Sequence, residues 1–351
     1  MEEKKKKVCI FTLYSKEGAS SNFRILMFLN DLNNMFDVKT YSFWNKKYVN
    51  KYMVNKVKYI IPIAFQYFAN VFRRFIQLLL IARNYDVVIF QKGVIPALPV
   101  SFVNYLQKNG VRVILDIDDA IYLSKHDYSD KIARKVDFVV VGNKYLMDHY
   151  VQLNSNIAIF PTVDYSPDYK SYIYNTFDEK CIGWIGSKAT IKNLEVVVGA
   201  INKIVDRHPQ VTTKIICNDD YGMQNKIKNS KFVPWTLKGY IKDMSDFTIG
   251  IMPLYDTPYN RGKCGFKLVQ YMNLYKPIIA SPVGVNKEIV GNCGLLASTE
   301  DEWVEAIELL LFNKSIYANC VKHMETDFES RYSYNRILEM WIQLINNRMN
   351  I

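Results

Sequence analysis

Residues 256–290 read DTPYNRGKCGFKLVQYMNLYKPIIASPVGVNKEIV, and this stretch decides the fold. A glycine-and-lysine turn, Arg261 to Gly265, feeds a short helical segment from Phe266 to Leu274. A helix N-terminus offers unpaired backbone N–H groups and a partial positive charge, and Lys263 and Lys267 add two full charges beside it, so the layout reads as an anion site. Lys276-Pro277 then leads into a buried strand, Ile278 to Ser281, and a second turn, Gly284 to Glu288, opens another helix. Two such turns side by side suit a diphosphate and the sugars at its ends. The competing reading is a loop, a core helix and a buried strand of some other α/β protein, with Lys263 a solvated charge.

Outward from this stretch, strands and helices alternate, the pattern of parallel sheets covered on both faces. The expected strands of the first half are 8–13, 38–43, 87–91, 111–116, 138–141 and 157–160, with helices starting near Ser21, Ile63, Ala97, Asp130 and Lys144. Strands return at 180–185, 213–217, 232–234, 247–252 and 277–281. The polar, tyrosine-rich run from Val163 to Tyr172 has no apolar period and reads as the joint between two Rossmann-like halves. The expected domains are 1–165, joined by a C-terminal helix within 333–351, and 166–332. Ligands of such sheets bind at the strands' carboxyl ends, so the chemistry is expected in a cleft between the halves.

At these residues the chain resembles the retaining glycosyltransferases of family four, glycosyl transferases group 1, which have the GT-B fold. The family's pattern of Glu-Gly-Phe-Gly, a second Glu, Ala-Met, Pro-Val-Val-Ala and Gly-x-x-Glu is met by Gly262 to Gly265, Gln270, Tyr271-Met272, Pro277 to Ala280, and Gly284 with Glu288. Both glutamates of its Glu-x7-Glu pair are absent, replaced by Gly262 and Gln270. The resemblance implies an α/β fold of two Rossmann-like domains facing each other across a cleft, and a nucleoside-diphosphate sugar as co-substrate, with no metal or other cofactor. It implies donor contacts from Lys263, Cys264, Gly265 and Phe266, from Gln270 through its amide to a ribose hydroxyl, and from Asp256 as a substitute carboxylate. Gly183 to Gly186 matches the family's Val-Gly-Arg turn, with Trp184 at the arginine position and Lys192 on a later lysine. Diphosphate compensation then falls to Lys192, Lys263 and Lys267, while Lys188 reads as a surface charge. Trp235 falls where the base usually sits, to stack on it or to fill the core. Glu288 binds ribose or groups near the phosphate, or is simply a first-turn glutamate favoured by the helix dipole.

The first half supplies Gly18-Ala-Ser20-Ser-Asn22 between strand and helix, either an oxyanion loop through Gly18 and Ser20 or an ordinary N-cap ahead of a helix over 22–33. Arg24 in that helix is positioned for a phosphate or the acceptor, and Lys92 after the third strand is assigned to the acceptor. Asp116, Asp118 and Asp119 close the fourth strand, and carboxylates so close repel unless something positive or a proton shares the site. An Asp-x-Asp suits hard cations and is the metal signature of the other glycosyltransferase fold, GT-A. The resemblance favours acceptor binding or proton handling at Asp118 and Asp119, beside a structural role for Asp116.

The 351 residues suffice for two cored domains, and 49% apolar content excludes a disordered chain. Six scattered cysteines argue for reduced thiols, against disulfides or zinc, and Lys4 to Lys7 passes into a strand too short for a secretory segment. The expected place is the cytoplasm. Net charge is +11, so the partner is anionic. From Lys46 to Arg83 there are eight Lys or Arg and no Asp or Glu, interleaved with aromatics, which suits an anionic bilayer with Arg73-Arg74 as anchor. The rivals are nucleic acid, for which no motif is present, and a helix packed on its own sheet with a solvated basic face. The sequence reading is a sugar transfer to a lipid-linked or growing surface glycan at the inner face of the plasma membrane, and the resemblance implies retention of configuration. The alternatives are a silent module binding a glycan or partner enzyme, or an epimerase or phosphorylase on the same fold.

Overall fold

The computed structural model describes residues 5–349; the first four residues and the last two of the C-terminal segment lie outside them. The chain forms two compact units, residues 1–162 with 337–351, and residues 163–336.

The first unit holds six parallel strands: β1 (Lys7–Tyr14), β2 (Asp37–Trp44), β3 (Val87–Gln91), β4 (Arg112–Ile117), β5 (Phe138–Val141) and β6 (Ile157–Ile159), in the order β2-β1-β3-β4-β5-β6. The central strands are continuous apolar runs because helices cover both faces, and Val88, Phe90, Leu115 and Val139 are all fully buried. The second unit has β7 (Cys181–Ile185), β8 (Thr212–Cys217), β9 (Ser230–Pro234), β10 (Ile249–Met252), β11 (Ile278–Ala280) and β12 (Gly294–Leu296), ordered β12-β11-β10-β7-β8-β9. That is the Rossmann order, two runs diverging from β7 and β10. The expected α/β class, with two Rossmann-like sheets of GT-B type, is what the chain adopts.

Three local expectations differ. The strand β12 was not foreseen, since three edge residues carry no period. The helix expected near Ala97 begins at Val103, and Ala97 itself has φ +61°. Pro99 disfavours helical backbone at Leu98, which delays the start. The helix expected over 22–33 breaks at Ile25 into Ala19–Arg24, a 3-10 turn at Leu26–Phe28, and Leu29–Met35.

The helix Ile60–Ile76 corrects two readings of the basic stretch. Arg74 is buried, donating to the carbonyls of Val94 (3.1 Å) and Tyr41 (3.0 Å), and Arg73 donates to the carbonyls of Ser42 and Phe43. The arginine pair therefore pins the helix to its own domain and is not an outward anchor. Nor is the outer face a solvated basic one, because Phe65, Phe68 and Phe72 stand on it exposed.

In the second unit Lys276, just before β11, is fully buried with Nζ donating to Thr176 Oγ1 (2.9 Å) and the Tyr174 carbonyl (3.2 Å). Burial pulls its pKa down from 10.5 to about 8, against weaker opposing pulls from Asp246 and other acids. Between those values the folded state has released a proton that the unfolded chain keeps, so stability rises with pH. The stability advantage of wild type over Lys276→Met should therefore grow from pH 8 toward pH 10, by at most about 1.4 kcal/mol per pH unit. Urea melts at three pH values check this, and a pH-independent difference would refute it.

Candidate functional site

In the second unit the strand order diverges between β7 and β10, and such sheets bind ligands outside the carboxyl ends at that point. Three segments leave the sheet there: Gly186-Ser187 after β7, the 253–265 loop after β10, and Ser281 to Gly284 after β11. They are tied together. The Leu254 amide donates to Ser281 Oγ (2.9 Å), and buried Asn193 accepts from the Tyr255 amide and from Asn260 Nδ2, both at 3.2 Å. Gly284 has φ +58°, and a Cβ there would stand 2.4 Å from the Arg261 carbonyl oxygen. Gly265 has φ +65°, with Ile289 Cδ1 2.2 Å from where its Cβ would be. Each glycine is thus needed both for its backbone and for close approach. The two turns lie against each other because Gly284 admits the Arg261 backbone and Gly265 leaves room for the side chains of Val285 and Ile289.

Lysines flank this double turn. Lys267 Nζ lies 5.4 Å from the ring centroid of Trp184, and Lys263 Nζ lies 4.6 Å from that of Tyr259. Trp184 is itself 1% exposed within the core, and a Cβ on Gly186 would meet its ring at 2.3 Å. It forms the floor beneath Lys267, which corrects its assignment as a donor contact. Phe266 and Cys264 are half-buried at the helix start, and Lys192 is exposed on the turn that carries Asn193. Lys188, next to Ser187 on the loop after β7, stands 5.0 Å from the ring centroid of Tyr221.

The expected substitute groups are engaged elsewhere. Asp256 is gripped by Arg261 through two contacts of 2.6 and 2.8 Å, which hold its carboxyl below the usual range. Glu288 pairs with Arg331 at 2.8 Å. Gln270 is buried and donates to Asp164 Oδ2 at 3.0 Å, so its amide faces a carboxylate and not the ribose position expected of it. Asp164 also accepts from Tyr169 (2.7 Å), Tyr240 (2.9 Å) and the Tyr165 amide (2.8 Å); burial raises its pKa while these donors oppose the rise. A glutamate at 270 would set a second carboxylate against the first, which gives a physical reason for glutamine there. Asp164 lies within the segment read as the joint between the halves, and an acid next to a tyrosine-rich run is the sequence signal for this buried cluster. Trp235 is half-buried and stacks on Tyr240, with ring centroids 5.9 Å apart.

In the first unit the order diverges between β1 and β3. Ser21 Oγ accepts from the Tyr14 amide (3.0 Å) and bonds Gln91 (2.6 Å), while Gln91 Nε2 donates to the Ser20 carbonyl. Gly18 occupies the N-cap without a side-chain cap, which corrects the serine-cap reading. Ser20 Oγ instead donates to Asp118 Oδ2 (3.1 Å). Lys92, 13% exposed and with φ +62°, places Nζ 2.9 Å from Asp118 and 2.8 Å from Asp119. Burial would lower its pKa, but the two carboxylates outweigh that and hold it well above the ordinary value. The positive partner demanded by the acid cluster is therefore Lys92 for two acids and Arg24 for the third.

Arg24 is 1% exposed in its side chain and contacts Asp116 through Nε (2.8 Å) and Nη2 (2.7 Å). Its Nη1 donates to the Phe160 carbonyl. Burial pushes Asp116 up to about 6, with Arg24 opposing. This geometry gives Arg24 a structural task in place of the acceptor contact expected of it. Among the described residues no group of three or more His, Cys, Asp or Glu is placed to hold a metal.

Residues 179–313 match the family Glycosyl transferases group 1. No curated protein matches the chain. Among solved structures, an S. aureus TarM variant in complex with fondaparinux, alpha-GlcNAc-glycerol and UDP is 15% identical with a TM-score of 0.53, over 74% of this chain and 55% of that one. A glycosyltransferase from Rickettsia africae is 11% identical, TM-score 0.63, over 99% of both chains. A Listeria monocytogenes protein assigned as a UDP-N-acetylglucosamine 2-epimerase is 9% identical, TM-score 0.61, over 99% and 98%. The chain spans about half the length of TarM, and at these identities what is shared is the fold. What this chain has in common with known proteins is thus the group 1 glycosyltransferase module of its second unit, matched over residues 179–313, on a two-domain α/β fold of GT-B type.

Proposed function

We propose that the protein is a glycosyltransferase that moves a sugar from a nucleoside-diphosphate sugar to a hydroxyl of a lipid-linked or growing surface glycan, with retention of configuration. The observation that carries this reading is the pair of interlocked turns at Gly265 and Gly284 on the carboxyl edge of the second sheet, with Lys263 and Lys267 beside them. Backbone amides at the start of the eight-residue helix Phe266–Asn273 and the charges of Lys192, Lys263 and Lys267 suit a departing diphosphate, whose charge grows in the transition state. Those cations do the neutralising in this proposal, and no metal enters it. On the first unit, Asp119 is the more accessible acid of the Lys92 cluster and the better candidate to meet the acceptor hydroxyl, with Asp118 holding Lys92 in place. The work is proposed to take place on the inner face of the plasma membrane, at an anionic surface.

A second reading is a silent module that binds a glycan or partner enzyme. It is favoured by the engagement of Gln270 by Asp164 and of Asp256 by Arg261, which leaves neither as a ready replacement for the family's glutamates. TarM is held with UDP in its structure, so UDP is the first nucleotide to try. In a thermal-shift series with UDP, GDP and ADP, a nucleotide at a hundred times its dissociation constant should stabilise the fold by about 2.7 kcal/mol. A base-selective shift, followed by sugar transfer from the matching donor, supports the enzyme. No shift with any nucleotide selects the silent module, and interconversion of the sugar nucleotide without acceptor selects an epimerase.

A further inference from the structure

We propose that the segment from Met53 to Leu80 is a bilayer-docking element that lies flat in the interface of an anionic membrane, its phenylalanines among the acyl chains. The inference deepens the membrane part of the reading above and rests on it, while the nucleotide site of the second unit is independent of it.

The helix Ile60–Ile76 carries apolar side chains on both of its faces. Its inward face seats Ile63, Tyr67, Val71 and Phe75 on the core of the first unit beside buried Asn70 and Arg74, whereas its outward face carries Ile61 (79% exposed), Phe65 (79%), Phe68 (69%) and Phe72 (69%). Spacings of four, three and four put these side chains on one stripe, which Ile76 and Leu80 continue. A soluble helix would turn this stripe to its sheet. Here the other apolar face already meets the core, and the rotation is fixed because the Arg74 guanidinium lies 4.5 Å over the Phe11 ring and donates to the carbonyls of Tyr41 within β2 and Val94 after β3, while Tyr67 donates to the Pro96 carbonyl at 2.7 Å. The apolar face is held outward by specific polar bonds, and Val54 and Val57 on the preceding turn extend it. A contiguous exposed patch of this kind marks an interaction site.

Charge selects the occupant. Lys46, Lys47, Lys51, Lys56, Lys58, Arg73 and Arg83 are exposed, and no acid occurs between Lys46 and Arg83. A second copy of the chain, packed by a two-fold axis, would set this cationic rim against itself. An anionic lipid surface attracts the same rim while its hydrocarbon takes the stripe. Among the described residues no helix is long and apolar enough to cross a membrane, so the element lies in the plane.

The test is co-sedimentation of the full chain with vesicles of phosphatidylcholine alone and of phosphatidylcholine mixed with phosphatidylglycerol. Wild type should partition onto the mixed vesicles and release with salt. Phe65→Ser/Phe68→Ser/Phe72→Ser should lower partitioning by about tenfold or more, since the lost burial is apolar area. Lys56→Glu/Lys58→Glu, which leaves the stripe intact, should weaken binding to the mixed vesicles alone. The nucleotide-induced thermal shift should persist in both variants, reporting a folded second unit. Wild type that stays in solution with both vesicle types would overturn the proposal. So would undiminished partitioning of the triple variant, or a concentration-dependent dimer that the phenylalanine substitutions abolish in place of vesicle binding.

Discussion

Lys267→Ala is expected to lower kcat for sugar transfer by about 10²-fold and to weaken UDP binding by a smaller factor, read from initial rates of nucleotide release and from the thermal shift. The asymmetry follows from where charge appears. A bound donor diphosphate already carries negative charge, but the bond to the sugar breaks by placing more of it on the leaving oxygen, and an ammonium near that oxygen is worth more then. Lys267 leaves the first turn of the Phe266–Asn273 helix, so its charge adds to the positive helix end, and the buried Trp184 ring beneath it fixes its height. Lys263 lies over Tyr259, a residue 51% exposed, and Lys263→Ala should cost less. Unchanged kcat and UDP affinity in Lys267→Ala would remove the diphosphate from this edge of the sheet.

Arg24→Met is expected to destabilise the first unit by about 3–5 kcal/mol, the usual consequence of leaving one member of a buried ion pair without its partner. Asp116 is fully buried and its charge is answered by Arg24, with Lys92 a more distant aid. Burial already lifts Asp116 to about 6 with the arginine present, so removing Arg24 lifts it further. A carboxyl whose folded pKa exceeds its unfolded value favours the fold below the unfolded value and loses that contribution as pH rises through the folded one. The defect should therefore be smaller at pH 5 than at pH 8 in denaturant melts. Arg24→Met/Asp116→Asn should recover much of the loss, though not all, because the Phe160 carbonyl also loses its donor. A fully stable Arg24→Met with a raised acceptor KM would return Arg24 to the acceptor role that its position first suggested.

The amino-acid sequence by itself determined the two-sheet α/β plan and the place of the double turn. Strands buried on both faces must be uninterrupted apolar runs, and Gly265 and Gly284 stand where the backbone has positive φ and no room for a Cβ. Both signals are local and survive without knowledge of any neighbour. The pairing of polar groups was decided only by tertiary structure. Arg24 and Asp116 lie 92 residues apart, and Gln270 and Asp164 lie 106 apart, so no periodicity links them. Which face of the Ile60–Ile76 helix points outward was equally unreadable. A helical period shows that an apolar stripe exists, but whether it meets the sheet or the solvent depends on partners such as the Val94 and Tyr41 carbonyls, which reach Arg74 only after the sheet has formed.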